Sequence, residues 1–384
     1  MIDIKNPSDC SGCTACVSIC PKGAIDMVDD GLGFKYPKVD YSKCVKCGSC
    51  TIVCAFRRDY SVDLNFDKPY CYAVRHKELY EIETSRSGAA FIALSDYVIE
   101  NGGVVYGAGY KEHFKIAHKR AATKEERNEF KGSKYVQSDM GEIFQEVKDD
   151  LLKGIVVLFS GTPCQTAGLN AFVGKKLREN LILVDIICHG VASPFVWRDY
   201  LDYLEHEEKD DIISLNFRDK KIFGWSGLHK ESFLFKHKGL KTYNYIFYNP
   251  YLIRKSCSSC VFTNTHRPSD ITLGDFWGWQ NVVPDFNKDD KGVSLVLCNT
   301  KKGFDLFNIV VHSLNVKRVN LKDCMQPNLV SPTPLDARRD DFESDYLQYG
   351  FRYVMRKYGD VGLKFYIKRM TSFIRRILKN HLAI

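Results

Sequence analysis

"IVVLFSGTPCQTAGLNAFVGKKLRENLILVDIIC", Ile155 to Cys188, decides the fold of the larger part of this chain. "IVVLFSG" reads as a buried strand, the turn "TPCQ" leads into a helix-like "TAGLNAFVG", and "LILVDIIC" reads as a second buried strand. Two short apolar strands flanking one helical stretch make a β-α-β unit, and so a parallel pair. Cys164 follows the first strand and Cys188 ends the second. Both thiols are therefore expected at one sheet edge, where open α/β sheets bind ligands, together with Gly161 and Thr162.

Outward from this unit the alternation continues. Upstream lie strand-like "CYAVRH", helix-like "AAFIALSDYVIENG", strand-like "GVVYGAGY", a long polar segment to about Gly132, and helix-like "GEIFQEVKDDLLKG". Downstream, from Asp211 to Tyr251, the pattern turns to alternating strands with "KHKGLK" as a hairpin turn. The expected architecture over residues 70–345 is an α/β domain with a mixed, partly parallel sheet and an antiparallel subregion.

The first 57 residues are of another kind. "CSGCTACVSICP", Cys10 to Pro21, and "CVKCGSCTIVCA", Cys44 to Ala55, repeat one spacing of four cysteines. That is the run by which bacterial ferredoxins hold two 4Fe-4S clusters, the fourth cysteine of each run reaching the other cluster. Cys10, Cys13, Cys16 and Cys54 are then expected on one cluster, and Cys20, Cys44, Cys47 and Cys50 on the second. An α+β ferredoxin-like dicluster module is the expected fold for residues 1–57, with the polar stretch "RRDYSVDLNFDKP" as its linker. Zinc bound by Cys-x2-Cys pairs is the plainer reading, and two complete quartets argue against it.

Bulk composition sets the outer limits. A length of 384 residues suggests two or three domains. "MIDIKNPSDC" has neither a basic n-region nor an apolar h-region, so no signal peptide and a cytoplasmic location are expected. Fifteen cysteines without an export signal point to metal ligation in a reducing compartment. From Phe351 to Ile384 nine Lys or Arg stand against one acid, Asp360, so the tail accounts for the whole +8 net charge. Its apolar positions Leu363, Ile367, Met370, Ile374 and Ile377 recur at helical intervals among Lys364, Lys368, Arg375, Arg376 and Lys379. Residues 351–384 are expected to form a basic amphipathic helix, which suits a membrane surface, a partner groove, or its own domain. No motif suggests nucleic-acid readout.

Two further stretches precede helices and offer anion-binding donors. "TSRSGAAF" supplies Ser85, Ser87 and Gly88; "GSKYVQSDMGEI" supplies Lys134, Gln137 and Ser138. Simple helix capping by the serines is the alternative in each case. Cys257 and Cys260 of "KSCSSCVF" form a Cys-x2-Cys pair that needs two partners, and Cys164 and Cys188 are the candidates for a third cluster. A zinc site and unligated thiols stay open. Cys71, Cys298 and Cys324 read as small buried hydrophobes.

Taken together, "RSGAAF", "GVVYGAGY", "GSKYVQSDMGEI", "FSGTPCQTAGL", "VDIICHGVASP", "NFRDKKIFGW" and "CSSCVFTNTHRPSDITLGDFWGW" resemble the coenzyme F420 hydrogenase/dehydrogenase beta-subunit family, some members of which carry an N-terminal dicluster ferredoxin. The resemblance runs from about Cys71 to Thr300. It implies FAD, a further 4Fe-4S cluster at the four motif cysteines, and electron exchange between a hydride carrier and iron-sulfur centres. On this reading Ser85, Ser87, Gly88, Lys134, Gln137 and Ser138 hold the FAD diphosphate, with Arg218 and Lys220 on an acidic group of flavin or substrate. His189 is a candidate proton donor, with a structural role as its alternative. For Asp270, Gly274 and Asp275 a cofactor role and a loop-shaping role stay open. The family's first motif commonly reads Ser-Gly-Gly, and Ala89 stands in place of the second glycine. Implied partners are ferredoxin, coenzyme F420 or a partner oxidoreductase subunit. The competing class is a non-catalytic electron-transfer subunit that docks a partner enzyme.

Overall fold

The computed structural model describes residues 1–57, 59–227, 230–243 and 249–359. In the N-terminal module β1 (Ile25–Asp29) and β2 (Lys35–Val39) pair antiparallel. There follow β3 (Asn65–His76), β4 (Val104–Tyr110), β5 (Ile116–Ala121), β6 (Val157–Gly161) and β7 (Leu181–Ile186). Next come β8 (Ile212–Asn216), β9 (Glu231–Phe235) and β10 (Gly239–Tyr243), then β11 (Ile271–Asp275), β12 (Ser294–Thr300) and β13 (Leu314–Val319).

Among the described residues eight strands form one mixed sheet in the order β13-β3-β12-β11-β7-β6-β4-β5. Its centre, β11, β7, β6 and β4, is parallel, and both flanks are antiparallel. The centre is parallel because helices cross over between its strands and cover both faces. Val157, Leu158, Phe159, Leu181, Leu183 and Val184 are accordingly buried without regard to alternation. The helix Pro163–Leu177 between β6 and β7 starts three residues before the expected helical stretch, inside the segment read as the turn "TPCQ". Pro163 occupies the first turn, and the Gln165 side chain accepts from the Thr162 N–H at 2.9 Å.

The antiparallel subregion is a separate sheet of β10, β9 and β8. It packs Phe217, Phe233 and Phe235 against Trp197, Tyr200 and Leu204 of the helix Pro194–Glu208. The turn expected at "KHKGLK" joins β9 to β10.

Two segments depart from expectation. The long polar segment before Gly132 holds the edge strand β5 and the helix Lys124–Asn128. Lys119 and Arg120 of this edge strand stay partly exposed and pair with Glu129 and Asp150, which dilutes the apolar signal. The stretch read as a linker is also built into the body. Its second half opens β3, and the Tyr60 hydroxyl donates to the His266 carbonyl at 2.7 Å while its ring lies 4.8 Å from Phe262.

The N-terminal module shares cores with the larger domain. Leu32 and Phe34 lie in one cluster with Val196 and Trp197, and Ala15 and Val53 in another with Phe144 and Leu169. Of the expected C-terminal helix, Phe351–Tyr358 is helical and buries Phe351, Val354 and Met355. Residues 360–384, which carry the remaining basic and apolar positions, lie outside the described residues. Among the described residues no helix is long and apolar enough to cross a membrane.

Asp270 ties the sheet centre together. Its buried carboxylate accepts from Arg178 at 2.7 Å, from the Leu183 N–H at 2.8 Å and from Thr300 at 2.7 Å. That settles it as a shaping residue of the segment leading into β11. Removing one partner of a buried, hydrogen-bonded ion pair strands the other charge, so Asp270→Ala should lower the denaturant-unfolding free energy by about 3–5 kcal/mol.

Candidate metal centres and cofactor cleft

The two cysteine loops of the module have matching backbones. Positive φ occurs at Gly12 (73°) and Thr14 (69°) in the first, and at Lys46 (56°) and Gly48 (81°) in the second, the same two positions of the repeat. Left-handed residues at these points curl the chain so that backbone N–H groups face inward. The Gly12 N–H lies 3.4 Å from Cys10 Sγ, the Ala24 N–H 3.3 Å from Cys20 Sγ and the Ile2 N–H 3.1 Å from Cys50 Sγ. Cys10, Cys13, Cys16 and Cys54 lie within electrostatic reach of one another. Burial pushes the Cys13 thiol up to about 12 and Cys16 further, and the neighbouring cysteines add to both rises. Cys20, Cys44, Cys47 and Cys50 line a second small cavity together with Met1 and Val39.

Four more thiols converge at the sheet edge. Cys164 sits in the first turn of Pro163–Leu177, Cys188 just beyond β7, and Cys257 and Cys260 in and after the short 3-10 helix Lys255–Ser259. All four line one cavity. Burial pushes Cys257 up to about 12, Cys260 to about 11 and Cys188 well above the usual thiol range, and the charge of Cys164 adds to all three rises. Arg267 holds the loop after the Cys-x2-Cys pair, donating to the Phe262 carbonyl at 2.6 Å and pairing with the buried Asp185 at 3.1 Å. This quartet adjoins the first ferredoxin quartet, because Cys13 packs on the helix that carries Cys164. A Cβ on Gly168 of that helix would stand 2.8 Å from Cys13 Sγ. Cys71, Cys298 and Cys324 are buried in the sheet core, away from all three groups.

Beside the third quartet opens a cleft of about 600 Å³ along the C-terminal ends of the parallel strands. The two cavities share a wall that includes Thr162, Gln165, Cys188 and His189. Ser85, Ser87, Lys134, Ser138, Gly161, Thr162, His189 and Arg218 line the cleft, with Gly274 and Asp275. Gly88, Gln137 and Lys220 do not, which corrects their expected placement. Gly88 is pressed against the sheet, where a Cβ would meet the Val74 carbonyl at 2.1 Å. Gln137 turns instead to the module, donating to the Ser11 carbonyl at 3.1 Å. Lys220 spends its ammonium on the carbonyls of Ile82 (2.6 Å), Ser87 (3.3 Å) and Lys291 (2.6 Å), bracing the serine loop from behind.

Several donors in the cleft lack partners. Ser85 Oγ is buried with none among the described residues, whereas Ser87 Oγ donates to the Val293 carbonyl at 2.6 Å. Arg218 donates to Asp275 at 2.8 Å and to the Tyr135 hydroxyl at 3.1 Å, leaving Nε and Nη2 buried and unpaired among the described residues. Lys134, by contrast, donates to the carbonyls of Glu129 (2.6 Å), Lys131 (3.1 Å) and Gly132 (3.4 Å); burial pushes its ammonium down to about 7, with Glu129 opposing and Lys119 reinforcing the shift. His189 stacks on Tyr135 at 5.5 Å, and burial, helped by Arg218, holds its ring below the ordinary histidine range.

Residues 9–57 match the model of the 4Fe-4S dicluster domain, and residues 156–323 match that of the C-terminal part of the coenzyme F420 hydrogenase/dehydrogenase beta subunit. Over residues 156–323 the chain belongs to the coenzyme F420 hydrogenase/dehydrogenase beta-subunit family, with a dicluster ferredoxin domain in front over residues 9–57. It is an iron-sulfur electron-transfer protein of that family. Among solved structures, a chain of the F420-reducing [NiFe] hydrogenase complex from Methanosarcina barkeri matches at 16% identity and a TM-score of 0.46, covering 75% of this chain and 92% of its own. No curated protein matches.

Within this beta-subunit family the Ser-Gly-Gly motif acquires a physical reason here. Ala89, in place of the second glycine, has φ 63° and ψ 27°, is buried, and caps the helix Ala90–Glu100. Left-handed backbone suits glycine and strains alanine. Sequence motifs miss His118, whose Nδ1 meets Ser138 Oγ at 2.9 Å and whose Nε2 reaches the Ser160 carbonyl at 3.1 Å on the cleft wall. Nothing in its polar neighbourhood marks it, since only the pairing of β5 with β4 brings it to the cleft. Trp277 sits inside the motif "DFWGW", yet its role emerges only in three dimensions: it lies 5.1 Å from the Arg218 guanidinium and stacks on Trp225 at 4.8 Å. Ala89→Gly should raise the unfolding free energy by about 1 kcal/mol, the relief of left-handed strain net of the added chain entropy, measured by urea titration.

Proposed function

We propose that this chain is an iron-sulfur flavoprotein oxidoreductase that passes electrons between 4Fe-4S clusters and FAD, with hydride transfer to or from coenzyme F420 or another organic acceptor. The observation that carries this reading is the shared wall: the third quartet and the large cleft meet at Cys188 and His189. In the module, Cys10, Cys13, Cys16 and Cys54 hold one cluster and Cys20, Cys44, Cys47 and Cys50 the other. Cys164, Cys188, Cys257 and Cys260 hold the third. Four thiols around one cavity suit the separated corners of a cubane, and the repeated ferredoxin spacing in the module favours iron-sulfur chemistry over zinc.

The cleft fits a dinucleotide in size and in chemistry. Its unpaired donors, Ser85 Oγ and two Arg218 nitrogens, need acceptors, and Lys134 adds a cation on the same wall. Bound FAD supplies conversion between hydride-pair and single-electron chemistry, since a 4Fe-4S cluster handles one electron at a time. Ser85 and Arg218 hold the anionic part, with Lys134 adding its charge from the same wall, while Trp277 keeps Arg218 from water. Neutral His118 and Ser138 orient polar groups of the ring system, and His189, neutral on Tyr135, is positioned to exchange a proton with substrate. A partner subunit or ferredoxin exchanges electrons at the second module cluster, where Cys47 is exposed.

The anaerobically purified protein should carry about twelve irons and bound flavin, and Cys257→Ser should lower the count to about eight with flavin retained. About eight irons and no flavin in the unaltered chain would overturn the reading. Lys134 adds a pH signature. Below about pH 7 its ammonium is already charged, so affinity for FAD is flat; above that value binding must take up a proton, and affinity should fall as pH rises. FAD fluorescence titrations of the flavin-free protein should show this fall, and Lys134→Met should flatten it.

A further inference from the structure

Arg254 is fully buried, with 0% of its surface exposed. Among the described residues, every other arginine buried to a similar degree has a carboxylate: Arg127 has Asp96, Arg178 has Asp270, Arg218 has Asp275, Arg267 has Asp185 and Arg339 has Glu343. Arg254 has none among the described residues. Its guanidinium donates to the Cys10 carbonyl at 2.8 Å, to Gln137 Oε1 at 2.9 Å and to the Lys35 carbonyl at 2.9 Å, and lies 4.1 Å from the Tyr36 ring centre. Its own carbonyl accepts from the Cys257 N–H at 2.9 Å, and its side chain lines the cavity of the third quartet. The residue thus stands between two groups of half-buried thiols, one in each domain.

A buried cation without an anion is costly, and neutral hydrogen-bond acceptors offset only part of that cost. A cubane core of charge 2+ held by four thiolates carries two net negative charges, and a third when reduced. We infer that Arg254 is the shared counter-ion of the first module cluster and the sheet-edge cluster, a positioning residue that raises both reduction potentials and fixes the path between them. The inference rests on the cluster assignment proposed above. The guanidinium bonds the Cys10 carbonyl of one group and lines the cavity of the other, so its charge stands beside both. When one electron passes between the clusters, no bond forms or breaks; the extra negative charge moves from one side of the same guanidinium to the other, so little reorganisation is required.

The second module cluster, at Cys20, Cys44, Cys47 and Cys50, is an internal control, since Arg254 does not line its cavity. Redox titration of the full holoprotein followed by electron paramagnetic resonance should show two cluster signals moved to more negative potential in Arg254→Met, and one unmoved. Arg254→Lys, which keeps the charge and loses the three-way hydrogen bonding, should leave the potentials near those of the unaltered protein. Should Arg254→Met fail to assemble, Gln137→Glu places a carboxylate on the guanidinium in an almost unchanged shape and should produce the same paired shift. Unmoved potentials in an iron-replete Met or Glu variant, or equal shifts of all three clusters, would overturn the counter-ion role. Iron content below twelve in the unaltered protein would instead overturn the cluster assignment, so the two failures can be told apart.

Discussion

Gathering many thiols into a small region of low dielectric constant carries an electrostatic cost, and much of this structure is arranged around it. Burial first, and the charge of neighbouring thiols second, drive Cys13, Cys188, Cys257 and Cys260 above the ordinary thiol range. The devices that oppose it are local and of several kinds. Left-handed residues turn backbone N–H groups inward at both module loops, and Cys164 occupies the first turn of a long helix, where the dipole favours negative charge. Arg254 adds a full positive charge between the groups, and Arg267 stands beside Cys260.

The same constraint explains why the module is built into the larger domain and not tethered to it. A buried guanidinium that bonds Cys10 and Lys35 from the far domain can hold its position only if the surrounding packing is rigid. Leu32 and Phe34 supply that packing from one side, Ala15 and Val53 from the other. Close approach matters too: a Cβ on Gly33 would come within 2.5 Å of Phe195, and one on Gly168 within 2.8 Å of Cys13. Small residues at these contacts let the thiol groups of the two domains come near each other.

On the cleft side the electrostatics are reversed. Lys134 and Arg218 line a space rich in hydroxyls; Arg218 pairs with Asp275 and keeps two nitrogens unpaired among the described residues, while Lys134 is held by backbone carbonyls. The boundary between the thiol region and this cationic cleft is a few residues thick, at Thr162, Cys188 and His189. Parallel strands make such a boundary possible, because their C-terminal ends all open to one edge and the following loops must turn there.

Much of this was legible in the sequence. The repeated cysteine spacing and the apolar runs around Phe159 and Leu183 are local signals, since spacing and periodicity act over a few residues. Local signals also put Cys164 and Cys188 at one edge, because each follows a buried strand. The rest needed the tertiary structure. Gln137 and Lys220 look like cofactor ligands in sequence but face the module and the back of the serine loop, since direction depends on which neighbour accepts the hydrogen bond. His118 and Arg254 carry no motif; strand pairing brings one to the cleft, and docking across more than two hundred residues brings the other to Cys10. Amino-acid order determined which chemistries are present and on which elements they ride, whereas long-range packing alone decided which charges meet, because electrostatic energy depends on distance through space and not along the chain.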